Sequence, residues 1–162
     1  MKERLMISPE VCTGCRACEI TCSFAKERAF WPQAARIAVI KMEAEGYDRP
    51  LVCRQCVKPA CAGACPTGAL ARDDDSGLLR LDEDLCVGCA VCVEACPFGA
   101  MRMHPERDMP LFCDTCDGDP ACVKRCTTKA LFWGTTADYA ARAGQQRELH
   151  RKRWQGMGGE EA

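Results

Sequence analysis

Apolar residues in this chain fall in short runs separated by polar or turn-forming stretches. β-prone runs occupy residues 4–7, 37–42, 69–72, 78–81, 100–104, 111–112 and 129–133. The turn Asp73-Asp74-Asp75-Ser76-Gly77 joins two of these runs and predicts a hairpin, and residues 105–110 form the analogous turn further on. Run 37–42 ends at a turn over residues 46–50 and is expected to pair with a neighbouring strand. Runs 4–7 and 129–133 lie at opposite ends of the body and are expected to pair with each other. Residues 137–154 read as a helix, with Tyr139, Arg142, Leu149 and Trp154 scattered among polar positions. Residues 155–162 read as a loose tail.

Between the runs stand four cysteine quartets: Cys12, Cys15, Cys18 and Cys22; Cys53, Cys56, Cys61 and Cys65; Cys86, Cys89, Cys92 and Cys96; and Cys113, Cys116, Cys122 and Cys126. They use all 16 cysteines. Three thiolates on a tight loop suit three corners of a [4Fe–4S] cluster, and the Cys-x₂-Cys-x₂-Cys-x₃-Cys spacing of the first and third quartets is that of bacterial ferredoxins, in which the fourth cysteine ligates the other cluster; the second and fourth quartets have four and five residues before the third cysteine. That fourth cysteine is expected at the start of a helix. Structural zinc uses two separated cysteine pairs, and disulfides need partners that cysteines two residues apart on one loop do not offer. The chain therefore predicts four [4Fe–4S] clusters with these 16 cysteines as metal ligands. Cys65-Pro66 and Cys96-Pro97 complete the ferredoxin signature, whereas Cys22-Ser23 and Cys126-Thr127 depart from it.

Composition sharpens this picture. Hydrophobic residues make up 48 % of the 162-residue chain, but without the cysteines the share falls to about 38 %, a modest supply for a core. The clusters are expected to staple the fold, and the apo chain to be largely disordered. The formal charge is −1, but each oxidised cluster with its thiolates adds roughly −2, giving about −9 when loaded. The start is too short in apolar residues for a secretory leader, and no stretch approaches a membrane span, so a soluble, cytoplasmic protein without direct membrane insertion is expected.

Two partitions of the quartets are open. Sequential pairing joins one with two and three with four. Nested pairing gives Cys12, Cys15, Cys18 with Cys126; Cys113, Cys116, Cys122 with Cys22; Cys53, Cys56, Cys61 with Cys96; and Cys86, Cys89, Cys92 with Cys65. The short link from quartet three to quartet four and the two terminal strand runs favour nesting.

The opening Cys12-Thr-Gly-Cys15-Arg-Ala-Cys18-Glu-Ile-Thr-Cys22 and the stretch from Cys53 to Pro66 resemble the four-cluster electron-transfer subunits of molybdenum- and tungsten-dependent oxidoreductases. Dimethyl sulfoxide reductase, formate dehydrogenase and formate hydrogenlyase systems share this pattern, as does the small subunit of some tungsten aldehyde oxidoreductases. The resemblance covers roughly residues 5–133 and implies the nested pairing and a row of clusters acting as a wire. The expected fold class is α+β, with tandem or nested ferredoxin-like halves, short strands and helices around four clusters, and a C-terminal helical extension. The body spans 1–134, with an outer half from 1–30 and 110–134, an inner half from 50–105 and a β insertion at 31–49. Residues 135–162 form the extension.

The function expected is electron relay between a separate catalytic oxidoreductase subunit and a ferredoxin, flavoprotein or other carrier; the resemblance implies a molybdenum or tungsten type for the catalytic subunit, with an aldehyde-oxidising tungsten enzyme among the systems it matches. No residue here reads as catalytic. His104 and His150 read as a strand-end residue and part of a basic helix face, and no dinucleotide or P-loop motif is present, so no nucleic acid, nicotinamide or nucleotide is expected. The alternatives are a free polyferredoxin shuttle and a zinc-binding interaction protein. Residues 142–153 carry five basic side chains against Glu148, and residues 70–84 carry six acids against two arginines, which suggests head-to-tail self-association.

Overall fold

The computed structural model describes residues 3–157. In chain order the elements are β1 (Arg4–Ile7), α1 (Ala17–Glu27), β2 (Ile37–Met42), β3 (Tyr47–Val52), α2 (Ala60–Gly63), β4 (Leu70–Arg72), β5 (Leu79–Leu81), α3 (Val91–Glu94), β6 (Arg102–Met103), β7 (Pro110–Leu111), α4 (Ala121–Arg125), β8 (Leu131–Gly134) and α5 (Thr136–Met157). The strands form four two-stranded antiparallel ribbons, β1–β8, β2–β3, β4–β5 and β6–β7. The first joins the two ends of the cysteine-bearing region, with Arg4 opposite Gly134 and Ile7 opposite Leu131.

Two expectations change. The turn read at 46–50 lies earlier: a short 3₁₀ turn over Glu43–Glu45 and left-handed Gly46 reverse the chain, and β3 follows at once. Pro50 hid that strand. A two-stranded ribbon consists of edge strands only, so a residue without an N–H is tolerated. Residues 37–52 thus pair with themselves.

The fourth cysteine of a quartet does not open a helix. Instead the third is always the second helical residue: Cys18, Cys61, Cys92 and Cys122. The x₃ gap to the fourth cysteine is about one helical turn, so a helix begun at the third ends near the fourth. Pro66 and Pro97 deny α2 and α3 any continuation. In the first quartet Ser23 follows Cys22, and α1 runs on to Glu27 with Cys22 in its interior. Ser23 is fully buried; its hydroxyl donates to the Ile20 carbonyl at 3.0 Å and accepts from the Trp31 amide at 3.1 Å.

The apolar interior is divided, and cysteines sit in both parts. One cluster holds Ile7, Cys22, Ala35, Ile37, Val52, Cys113, Cys122 and Leu131; the other holds Cys61, Leu70, Leu79, Cys92 and Met101. Polar ties connect the surrounding elements. Glu19 on α1 is buried, accepts from the Val39 amide at 2.6 Å and pairs with Arg16 at 2.8 Å.

Glu27 gathers Arg36, Arg107 at 2.7 Å and His104 Nε2 at 3.7 Å, linking the end of α1 to the segment after β6. His104 Nδ1 accepts from the amides of Glu106 and Arg107, which leaves its proton on Nε2, facing Glu27. Burial alone would raise the Glu27 carboxyl, but the hydrogen bond and charge of Arg36, with Arg107 and His104, hold it below the ordinary glutamate range. A lowered folded value means stabilisation that is full above the ordinary range and is lost as pH falls through the folded value. Glu27→Gln should therefore cost about 1–2 kcal/mol at neutral pH in anaerobic urea unfolding. The gap from the native chain should close as the pH is lowered through the carboxylate range.

α5 starts at a reciprocal cap. The Thr135 amide donates to Asp138 Oδ2 at 2.7 Å, and the Asp138 amide donates back to the Thr135 hydroxyl at 3.3 Å. Arg142 lies over the Phe132 ring at 4.4 Å and donates to the Lys129 carbonyl, fixing the first turns to β8. The helix continues to Met157, past the end expected at 154. Residues 158–162 of the expected loose tail, and most side chains of the basic run 142–153, lie outside the described residues. Among the described residues no helix is long and apolar enough to cross a membrane.

Candidate iron–sulfur sites

All four quartets share a backbone device. The residue before the second cysteine has positive φ in each: Gly14 at 61°, Gln55 at 48°, Gly88 at 66° and Thr115 at 63°. This left-handed residue reverses the chain locally, so that first and second cysteines lie on one loop. Glycine is needed at 88 for a further reason, since an added Cβ would lie 2.7 Å from Asp108 Cβ and 2.8 Å from its backbone oxygen. Helix entry then divides the quartets into two kinds. In the first and third, a left-handed cap, Arg16 or Ala90, leads into the helix. In the second and fourth, whose gap is longer, Pro59 or Pro120 caps it.

Three cavities are each lined by four cysteines. One has Cys53, Cys56, Cys61 and Cys96; one has Cys65, Cys86, Cys89 and Cys92; one has Cys22, Cys113, Cys116 and Cys122. The remaining four lie close enough to repel one another as thiolates: beside burial, Cys126 and Cys15 raise Cys12, and Cys12 adds to the rise of Cys18. Each set combines three cysteines of one quartet with the fourth of another. Each also draws on one quartet with a left-handed cap and one with a proline cap.

The sets are also neighbours. Cys18 feels Cys122, and Cys92 feels Cys61. Cys53 packs against the apolar cluster that contains Cys22 and Cys113. Buried Gln55 donates from Nε2 to the Cys113 carbonyl and accepts at Oε1 from the Leu79 amide at 2.7 Å, tying the second quartet to the fourth and to β5. Of the 16 cysteines only Cys15 and Cys89 are exposed, and they belong to sets at opposite ends of this series.

The thiols are arranged for a soft, positively charged group rather than for free thiolate. Burial, with Cys122 adding repulsion, pushes Cys18 up to about 12; burial and Cys22 push Cys122 up to about 12; burial pushes Cys53 up to about 11. Cys113 is raised further by burial. Desolvated thiols this close lose their protons only against compensating positive charge, which iron supplies. Cys65 is the reverse case: the Leu70 amide and the Thr67 hydroxyl lower it. Amides of Arg36, Thr115 and Leu131 donate to Cys22, Cys113 and Cys126 sulfur at 3.2, 3.4 and 3.4 Å. Such bonds stabilise thiolate and tune the potential of a bound cluster. The donor set, four thiols per site with no imidazole, fits an iron–sulfur cluster.

Gln55 and Thr115 were missed in the sequence because neither residue type announces positive φ. Their position one before the second cysteine, where Gly14 and Gly88 stand, was the available signal.

Comparison with known proteins agrees with this chemistry. The 4Fe-4S dicluster domain matches residues 44–136, more than half of the chain. The polyferredoxin-like subunit of the aliphatic sulfonate oxidoreductase of Pyrococcus furiosus is 40% identical over 122 residues, which cover 75% of this chain and 70% of that one. Subunit beta of the NADH-dependent phenylglyoxylate dehydrogenase of Aromatoleum evansii is 34% identical over 147 residues, covering 90% of this chain but only 33% of that longer protein. The probable anaerobic dimethyl sulfoxide reductase chain YnfG of Escherichia coli is 33% identical over 141 residues, covering 76% and 68%. With its cysteine sets, its helix-borne third cysteines and these matches, the chain belongs to the 4Fe-4S dicluster domain family of iron–sulfur proteins.

Proposed function

We propose that this chain is an iron–sulfur electron-transfer subunit of an oxidoreductase complex, holding four [4Fe–4S] clusters and leaving the catalysis to a separate subunit. The observation that carries the reading is the grouping of cysteines in fours, three from one quartet and one from another. In this reading Cys12, Cys15, Cys18 and Cys126 hold one cluster and Cys22, Cys113, Cys116 and Cys122 the next. Cys53, Cys56, Cys61 and Cys96 hold the third, and Cys65, Cys86, Cys89 and Cys92 the fourth. When bound, a [4Fe–4S] cluster with four thiolate ligands supplies one-electron uptake and release and no open coordination position for substrate.

The chain's own residues hold the thiolates, exclude water and set the order of the sites. The adjacency of Cys18 to Cys122, of Cys53 to the core around Cys113, and of Cys61 to Cys92 supports a continuous row with Cys15 and Cys89 near its ends. The β1–β8 ribbon supports nested halves, the outer formed by both ends of a body spanning 1–134 and the inner by its middle. A molybdenum or tungsten partner remains the partner class implied by the sequence resemblance, with a ferredoxin or flavoprotein at the other end.

The free-shuttle reading differs in its associations. Native purification without oxygen should yield this chain in a stable, stoichiometric complex with a larger oxidoreductase subunit. Recovery as a free monomer that carries iron and still exchanges electrons would replace the subunit reading with the shuttle.

A further inference from the structure

A groove of about 630 Å³ lies beside the site of Cys53, Cys56, Cys61 and Cys96, and no cysteine lines it. β1 contributes Arg4, β3 contributes Tyr47 and Arg49, the start of α5 contributes Tyr139, and Arg54 and Phe98 close one end. Three arginines line it and no carboxylate does. All three are exposed, and among the described residues none is in an ion pair. Three uncompensated guanidinium groups around one concavity focus a positive potential there, although the loaded chain as a whole is acidic. The aromatic rings give the same groove apolar walls.

The groove's position gives this charge a use. Arg54 stands between Cys53 and Cys56, Phe98 follows Cys96, and the Arg54 guanidinium lies over the Phe98 ring at 5.7 Å. Both side chains also line the cavity of Cys53, Cys56, Cys61 and Cys96. Anything seated in the groove is thus one layer of side chains from that cavity.

We propose that this groove docks an acidic surface segment of an electron-carrying protein, making a lateral port midway along the row besides its two ends. The inference rests on the electron-transfer reading above. The occupant follows from charge: a carrier that itself holds thiolate-ligated clusters gains roughly −2 per cluster and meets an acid-free, triply cationic surface. In the transfer one electron leaves the reduced carrier and is gained at the site of Cys53, Cys56, Cys61 and Cys96. No covalent bond changes and no proton moves.

The test uses the holoprotein carrying Arg4→Gln and Arg49→Gln together, which leaves Arg54 and Phe98 in place. The probes are a two-cluster ferredoxin of net negative charge and methyl viologen, a small cationic carrier. Calorimetry with both proteins oxidised should show the Kd for ferredoxin raised about tenfold at low salt, with a shallower salt dependence than the native chain. Iron content and the rate of reduction by viologen should be unchanged. A native chain that binds ferredoxin without salt dependence or not at all, or a variant that binds it as the native does, would overturn the port. Failure of viologen to reduce the native holoprotein would instead overturn the electron-transfer reading on which the port rests.

Discussion

Prepared without oxygen, the chain carrying Cys113→Ala is expected to give at least about tenfold less soluble holoprotein than the native chain. Cys89→Ala is expected to remain soluble and to hold about 12 iron atoms instead of about 16. Both changes remove one proposed ligand, so the contrast comes from surroundings. Cys113 is buried within the outer apolar cluster, its sulfur accepts the Thr115 amide, and its carbonyl accepts from Gln55. Emptying that site opens the larger of the two apolar clusters. Cys89 is exposed on its loop. Iron and acid-labile sulfide per chain, measured beside the soluble yield, check both halves. Full iron in Cys89→Ala would remove that cysteine from the ligand set, and equal yields for the two variants would show that the outer core does not depend on its cluster.

Gln55→Ala is the second large effect, expected at about 2–4 kcal/mol. The change strands two buried backbone groups, the Leu79 amide and the Cys113 carbonyl, whose partner is the Gln55 side chain. The Cβ at a φ of 48° is present in the native chain and in this variant alike, so its strain cancels in the comparison. Gln55→Gly loses the same two hydrogen bonds but also relieves that strain, because glycine takes positive φ freely. Both variants should unfold at lowered urea concentrations, the glycine variant by the smaller amount, followed anaerobically by the visible absorption of the clusters. An alanine variant as stable as the native chain would show that the two hydrogen bonds contribute nothing to stability.

Local features of this fold were legible in the sequence. The quartets announce themselves by spacing, the β4–β5 hairpin by its Asp-rich turn, and the short β-prone runs at 4–7 and 37–42 became strands. Helix starts at the third cysteines were less visible, because their caps are a left-handed arginine, a left-handed alanine and two prolines. The long run of α1 could have been read from Ser23 standing where the inner quartets have proline. What spacing could not supply was the meeting of distant residues. Gln55 is 58 positions from Cys113 and Glu27 is 80 from Arg107, and nothing near either residue in the sequence names its partner. The same limit hid the arginine groove, whose walls come from both ends and the middle of the chain.

The β1–β8 ribbon sets a timetable for the making of this protein. β1 leaves the ribosome first but stays unpaired until β8 follows, a delay on the order of ten seconds at ordinary rates of synthesis. Quartets two and three, with their own hairpin between them, are complete well before that. In the proposed reading, the two sites drawn from these quartets can receive iron while the chain is still growing. Throughout that interval the first quartet waits for the fourth, so in the proposed reading the two sites they share are the last to be built and their thiols stay longest open to oxidants.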